Sequence, residues 1–126
     1  MAIAADIYGW VETYDDEWDG IIKASHLMYR DYYVFGALFG IRRLGLTPAA
    51  ERRGLPEDSS REVKDDLKSW DKIAAPSWIT WQELQSVAWD EHPPHDWWLL
   101  LFKLMQDLAD RWGSENVRLV VWFDTE

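Results

Sequence analysis

Both ends of the chain alternate apolar and polar residues, and this pattern constrains the fold more than any other feature. The apolar positions are Ile3, Ala5, Ile7, Gly9 and Val11 near the start, and Val117, Leu119, Val121 and Phe123 near the end. A period of two residues is typical of β-strands that bury one face. We therefore expect residues 3–12 and 117–124 to be strands.

The polar sides of these two segments would meet if the strands are neighbours in one sheet. Cross-strand charge pairs and aromatic pairs are then expected on that face. Its members are Asp6, Trp10, Glu12, Arg118, Trp122 and Asp124.

The residues between the two ends predict another strand and several helices. Residues 14–17 are turn-rich and residues 18–25 extended, which favours an N-terminal hairpin. Helical spacing recurs in 31–43, 59–70, 80–88 and 96–112. Capping-box patterns precede two of these segments, Ser59 with Glu62 and Thr80 with Glu83. Gly45 is expected to help end the first helix, and the first half of the last helix, apolar all round, is expected to be buried.

The order of these elements predicts one α+β domain over residues 1–126. Its small antiparallel sheet would consist of the N-terminal hairpin and the C-terminal strand. About four helices would cover one face of the sheet, and the other face would be open to water.

Composition and charge narrow the class of protein. A chain of 126 residues can bury a hydrophobic core that needs no disulfide or metal to stabilise it. No cysteine is present for a disulfide or a thiolate metal site. The start lacks the features of a signal peptide, and no apolar run approaches the roughly eighteen residues of a membrane span. We expect a soluble cytoplasmic protein.

The net charge of −10 argues against duplex nucleic acid and anionic membranes as binding partners. It suits a basic protein partner, and it is also an ordinary device for solubility.

Ten tryptophans are many for a chain of this length, so some are expected to be exposed. Exposed tryptophans are frequent in binding hot spots, and tryptophan-rich sheet edges are compatible with a homodimer. The alternative is that most of them fill the core.

The loop from Glu51 to Ser60 is a candidate binding element. Gly54 and Pro56 favour a rigid turn that would present Arg52, Arg53 and Asp58. Rigid polar loops carry function more often than core segments do.

Arginines near this loop predict a site for an anionic or nucleotide-like ligand. They are Arg30, Arg42, Arg43, Arg52 and Arg53, beside Tyr29, Tyr32 and Tyr33. Guanidinium groups bind phosphate or carboxylate, and aromatic rings stack bases. The alternative is that these arginines pair with Asp31, Glu51, Glu57 and Asp58 and pin the loop.

Two further kinds of chemistry are compatible with the sequence. His92 and His95, with Asp90, Glu91 and Asp96, could assemble a metal site, although a solvated loop explains them equally. Asp6, Glu12 and Asp124 could form an acid/base pair if they share a sheet face. A phosphate-binding glycine loop and a nucleophile elbow are absent from the sequence.

Five segments carry motifs that occur together in one group of proteins. They are Ala5 through Glu12, Arg30 through Phe35, Pro48 through Ser60, Ala74 through Thr80, and Arg118 through Asp124. Their counterparts contain Cys-Asp-Ile-His, Arg-Asn-Tyr, Arg-Gly-Leu-Pro-x-Asp, His-Ser-Trp-Leu-Thr and Trp-Phe-Asp. On these motifs the chain resembles an uncharacterised family of small proteins from bacteriophages and from bacterial, notably actinobacterial, genomes.

The resemblance implies a role connected with mobile elements, such as sequestering a signalling nucleotide or inhibiting a host protein. It also marks departures, since Tyr8, Ala74 and Pro76 stand where the family carries histidines. If those histidines ligate a metal or transfer protons in relatives, this chain lacks that chemistry.

Taken together, these patterns predict a non-catalytic protein that binds a small anionic, nucleotide-like molecule without a cofactor or metal. The predicted ligand-binding residues are Asp6, Trp10, Arg30, Arg53, Asp58, Trp78, Arg118 and Asp124. One alternative is an acidic inhibitor or immunity-type protein that docks on a basic protein surface. A second is a hydrolase of phosphoesters that uses carboxylates.

Overall fold

The structure, a computed structural model, describes residues 3–42, 47–89 and 92–126. In chain order its elements are β1 (Ile7–Asp15), β2 (Glu17–Lys23), α1 (Tyr32–Phe39), α2 (Arg61–Leu67), β3 (Ala74–Thr80), α3 (Trp81–Leu84), α4 (Asp96–Trp112), a 3₁₀ turn (Ser114–Asn116) and β4 (Val117–Phe123). The four strands form one antiparallel sheet in the order β2-β1-β4-β3. The predicted α+β fold is confirmed.

The two ends of the chain form strands, as the alternation predicts, and these strands pair at the centre of the sheet. β1 and β4 run antiparallel from the pair Ile7↔Phe123 to the pair Thr13↔Val117. Their apolar sides face α1, α3 and α4 and form the larger core cluster with them. The hairpin is also present, and its ladder is irregular between Val11 and Glu12, where Ile21 is the extra residue of β2.

The sequence patterns did not predict β3. β3 covers residues 74–80 with Pro76 inside it, and proline is uncommon within strands because it cannot donate to the ladder. The structure accommodates it with a bulge on an edge strand, where Ala75 (φ 46°) and Pro76 together oppose Trp122. A neighbouring loop covers this edge, since the Gly54 amide donates to the Pro76 carbonyl oxygen at 2.9 Å.

The second face of the sheet is also covered, so the prediction of a water-facing surface is wrong. Val120 and Trp122 on this face are fully buried. They pack with Val63 of α2 and with side chains that follow it, among them Trp70. The contact is close, because a Cβ added at Gly20 of β2 would lie 2.6 Å from the Glu62 Cβ atom of α2.

The helices begin and end at capping residues, and some of these residues differ from the predicted ones. The Asp31 side chain caps α1, and Gly40 (φ 72°) ends it. The predicted terminator Gly45 lies outside the described residues. α2 uses Ser60 as its N-cap, one residue after the predicted Ser59, and the predicted capping box at Thr80 is present. α3 is shorter than predicted and ends at Leu84.

α4 runs over the predicted residues, but its first half is not fully buried. Trp98 and Leu101 face the core, whereas Trp97, Leu99 and Leu100 are exposed. The expectation of burial all round is therefore wrong. None of the helices in the described part of the chain has the length and apolar character needed to cross a bilayer.

Candidate functional site

Arg118 of β4 stands at the centre of a buried polar network on the α2 side of the sheet. Its Nε atom donates to Glu12 Oε1 at 2.6 Å, directly across the β1–β4 ladder. Glu12 is 0% exposed and Arg118 4% exposed. The second Glu12 oxygen accepts from the Ser60 amide at 2.6 Å. Both Glu12 oxygens thus have partners, as a buried carboxylate requires.

Asp58 and Trp18 complete the surroundings of Arg118. Arg118 Nη1 lies 3.1 Å from Asp58 Oδ1, and its guanidinium carbon lies 3.8 Å from the centre of the Trp18 ring. The Asp58 side chain is 66% exposed, so this contact brings the network to the surface. The resulting Arg118–Asp58–Trp18 group links β4, the loop before α2, and the hairpin.

Arg53 belongs to a separate ion pair. Its two terminal nitrogens donate to the two Glu83 oxygens at 2.8 and 2.6 Å, and its guanidinium lies 4.7 Å from the Trp78 ring centre. The hydrogen bond from Arg53 is the largest reason why the pKa of Glu83 falls to about 2. Arg53 also donates to the carbonyl oxygens of Trp78 and Ala49. It therefore pins the loop to β3 and α3.

A third group lies at the end of β1. Arg30 donates through two nitrogens to both Asp6 oxygens at 2.8 Å, and this contact lowers the pKa of Asp6. Asp124 accepts from the Asp6 amide at 2.9 Å. Tyr8 lies close by, and burial, with Asp124 and Asp6 as further causes, raises the pKa of its hydroxyl.

The structure therefore places the eight predicted ligand-binding residues in separate groups. Five lie on or beside the sheet face that α2 covers, namely Trp10, Arg53, Asp58, Trp78 and Arg118. Trp10 is tied to α2 there, since its Nε1 donates to Asp66 Oδ2 at 2.8 Å. The other three form the Asp6–Arg30–Asp124 group at the end of the sheet.

Two further arginines of the predicted basic cluster, Arg42 and Arg52, both contact Glu126. Arg42 donates to the carbonyl oxygens of Ile3 and Glu126, and Arg52 forms an ion pair with the Glu126 side chain. Arg43 lies outside the described residues. The partners found for Arg30, Arg52 and Arg53 are not the carboxylates predicted for them, because contacts distant in sequence replace the local ones.

The predicted acid/base carboxylates are not equivalent. Glu12 is buried with both oxygens bonded, whereas Asp6 and Asp124 lie at the end of the strand pair. For the predicted metal site, Asp90 and Glu91 lie outside the described residues. Within the described ranges, no group of three or more histidine, cysteine, aspartate or glutamate side chains could hold a metal ion.

The two remaining histidines of that segment pack against aromatic rings. The His92 ring lies 4.4 Å from that of Tyr33, and His95 stacks on Tyr29 at 3.8 Å between ring centres. His95 also caps α4, because its Nδ1 accepts from the Trp97 amide at 3.2 Å.

A cleft of about 720 Å³ opens between the tip of the hairpin and α2. We call it the hairpin–α2 cleft. The aromatic rings of Tyr14 and Trp18 line one wall, with centres 5.3 Å apart. The cationic side chains on the opposite wall are those of Arg61, Lys64 and Lys68. Asp58 also lines the cleft, which places one predicted residue at its surface and Arg118 behind it.

The cations of the cleft differ in how fully they are paired. Asp65 lies 3.0 Å from Lys68 and 3.6 Å from Arg61, and the Lys68 contact is the main reason why the pKa of Asp65 is lowered. Lys64 has no ion pair or hydrogen bond through its side chain among the described residues. Its ammonium group is free to bind an anion.

Sequence reasoning missed Tyr14, Trp18 and Lys64 as site residues. The spacing of Arg61, Lys64 and Lys68 on one helix was a usable signal, because residues three and four apart share a helix face. The pairing of Tyr14 with Trp18 across the hairpin was readable only once the turn at Asp16 (φ 69°) was known.

No family model, curated protein or solved structure matches the chain. The resemblance to a phage and actinobacterial family therefore stays a prediction.

Proposed function

We propose that this protein is a non-catalytic binding protein that takes a polar, anionic, nucleotide-like small molecule in the hairpin–α2 cleft. One observation carries the proposal: an aromatic pair and three cationic side chains face the same cleft of about 720 Å³. A cleft of this size suits a small molecule.

The aromatic wall suits a planar group. Tyr14 and Trp18 offer ring surface, and base–aromatic stacking contributes about 1–3 kcal/mol per base. The guanidinium of Arg118 covers the Trp18 ring at 3.8 Å and holds it in place from behind. The stacking surface is thus fixed before a ligand arrives, which lowers the entropic cost of binding.

The opposite wall suits a phosphate or carboxylate. Lys64 supplies an unpaired ammonium group, and Lys68 and Arg61 can turn from Asp65 towards a ligand. Four carboxylates also line the cleft and repel a heavily charged polyanion, namely those of Asp16, Glu17, Asp58 and Asp65. We therefore propose a ligand with a single anionic group.

Asp58 suits a hydrogen-bond donor on the ligand. Its carboxylate holds Arg118 through Oδ1 and keeps acceptor capacity at the exposed side chain. An amino group on a nucleobase-like ring would donate a hydrogen bond to this carboxylate. The proposed ligand thus combines a planar, donor-bearing ring with one phosphate or carboxylate.

The test is a thermal-shift and calorimetric titration with adenosine and guanosine monophosphates as probes. A ligand at a hundred times its Kd adds about 2.7 kcal/mol to stability, so binding raises Tm measurably. Lys64→Ala and Trp18→Ala are expected to abolish the rise.

Lys72→Ala is the matched control, because Lys72 is an exposed lysine that does not line the cleft. It is expected to bind like the parent protein. The proposal is rejected for these probes if none shifts Tm, or if Lys64→Ala binds as tightly as the control.

A further inference from the structure

The first two turns of α4 carry apolar side chains that face solvent. Trp97 is 48% exposed, Leu99 46% and Leu100 41%. Trp97 is the one exposed residue among the ten tryptophans, all of which lie in the described ranges. We call these three residues the α4 patch. Adjacent exposed apolar side chains of this kind are typical of interaction surfaces.

Charged residues flank the α4 patch symmetrically. Asp96 precedes it and Lys103 follows it, seven residues apart, so both lie on the same exposed side of the helix. Neither has an ion-pair partner among the described residues. The two positions are equidistant from the midpoint between Leu99 and Leu100.

This arrangement is complementary to itself when a second helix runs antiparallel. A twofold axis through the midpoint would set Asp96 against Lys103 of the second copy, and Lys103 against Asp96 of the second copy. It would also set Leu99 against Leu100 of the second copy, with Trp97 at the rim of the contact. A surface on which residue i meets j while j meets i is what an isologous dimer requires.

We propose that the protein forms a homodimer through antiparallel pairing of the α4 patch. The net charge of −10 on each copy opposes association at long range, so the local opposite charges and the contact between Leu99 and Leu100 supply the specificity. α4 packs on the sheet face opposite α2, so both hairpin–α2 clefts stay open in such a dimer. The sheet edges are not needed for this contact.

Sedimentation velocity of the intact chain over a range of concentrations tests the proposal. The parent protein is expected to sediment at twice the mass of the 14.9 kDa chain. Leu100→Ala is expected to raise the dimer Kd by at least about tenfold, because it removes two apolar side chains from the centre of the contact, one from each copy. Leu100 is exposed in the single chain, so folding should persist, as circular dichroism would show.

Charge reversal tests the antiparallel geometry. Lys103→Glu or Asp96→Lys alone replaces two attractive contacts by repulsive ones and is expected to raise Kd about tenfold. The combined variant Asp96→Lys/Lys103→Glu is expected to restore the parent Kd to within about threefold. Lys72→Glu changes net charge as Lys103→Glu does, away from the patch, and should leave Kd near the parent value.

Three outcomes overturn the proposal. The first is a parent protein that stays monomeric up to about 0.5 mM, where an interface of standard size would be occupied. The second is a dimer that Leu100→Ala does not weaken. The third is a combined charge variant that dimerises no better than the single ones.

Discussion

Arg118→Met is expected to remove a large part of the stability of this protein. The substitution keeps side-chain volume but leaves the Glu12 carboxylate, which is 0% exposed, with the Ser60 amide as its remaining partner. Breaking a buried ion pair by removing one member costs about 3–5 kcal/mol. Since domains of this size are stable by about 5–15 kcal/mol, the loss should be about two-fifths of the total at the middle of both ranges.

Urea denaturation followed by tryptophan fluorescence measures this loss as a lower midpoint at unchanged slope. Arg61→Met is the control, because Arg61 is an exposed arginine whose ion pair with Asp65 spans 3.6 Å. It should change the free energy of unfolding by less than about 0.5 kcal/mol.

The double variant Glu12→Gln/Arg118→Met separates charge burial from lost packing. The introduced amide oxygen can still accept from Ser60, and no unpaired charge is left in the interior. At least half of the lost stability should return. Burial of an unpaired Glu12 charge is not the cause if Arg118→Met lowers the free energy of unfolding by less than about 1 kcal/mol, or if the double variant is no more stable than the single one.

Three further outcomes are expected. The pKa of Glu83 is lowered from 4.5 to about 2, so its ionised form stabilises the fold above pH 4.5, and this contribution is lost as pH falls towards 2. Glu83→Gln should flatten the change of Tm over that window, and an unchanged profile would contradict the assignment. Arg53→Ala should lower stability by about 1 kcal/mol in urea while leaving probe binding in the hairpin–α2 cleft intact, since Arg53 does not line that cleft. Gly9→Ala would place a Cβ atom 2.0 Å from the Val120 carbonyl oxygen and should lower the free energy of unfolding by about 3 kcal/mol. At Gly54 no atom of the described residues beyond its chain neighbours lies within 4 Å of an added Cβ, but the backbone φ is 80°, which residues other than glycine disfavour. Gly54→Ala should therefore cost about 1 kcal/mol by the same assay.

Part of the candidate site could be predicted from the sequence. The alternation in β1 and β4 placed Glu12 and Arg118 on one face, and the register then sets them directly opposite each other. Asp58 was predicted from its loop, and it does line the cleft. That Trp18 and Lys64 line the same cleft could not be predicted, because this depends on how α2 lies against the hairpin.

Two features of the fold were not predicted, for different physical reasons. The second sheet face was predicted to be wet because its strands carry charged and aromatic residues, and such residues are usually exposed. Here Glu12 and Arg118 neutralise each other, so α2 can cover them. β3 was missed because Pro76 argues against a strand unless a bulge and a covered edge accommodate it.

The sequence by itself determined the strands at both ends, the N-terminal hairpin and most helix starts, because these follow from side-chain periodicity and from caps within a few residues. Only the tertiary structure decided which charges meet. Arg118 is separated by 106 residues from Glu12 and by 60 from Asp58, and contacts over such distances exist only once the whole backbone is placed. The same reason explains why the cleft, a space between elements, has no signature in any single segment.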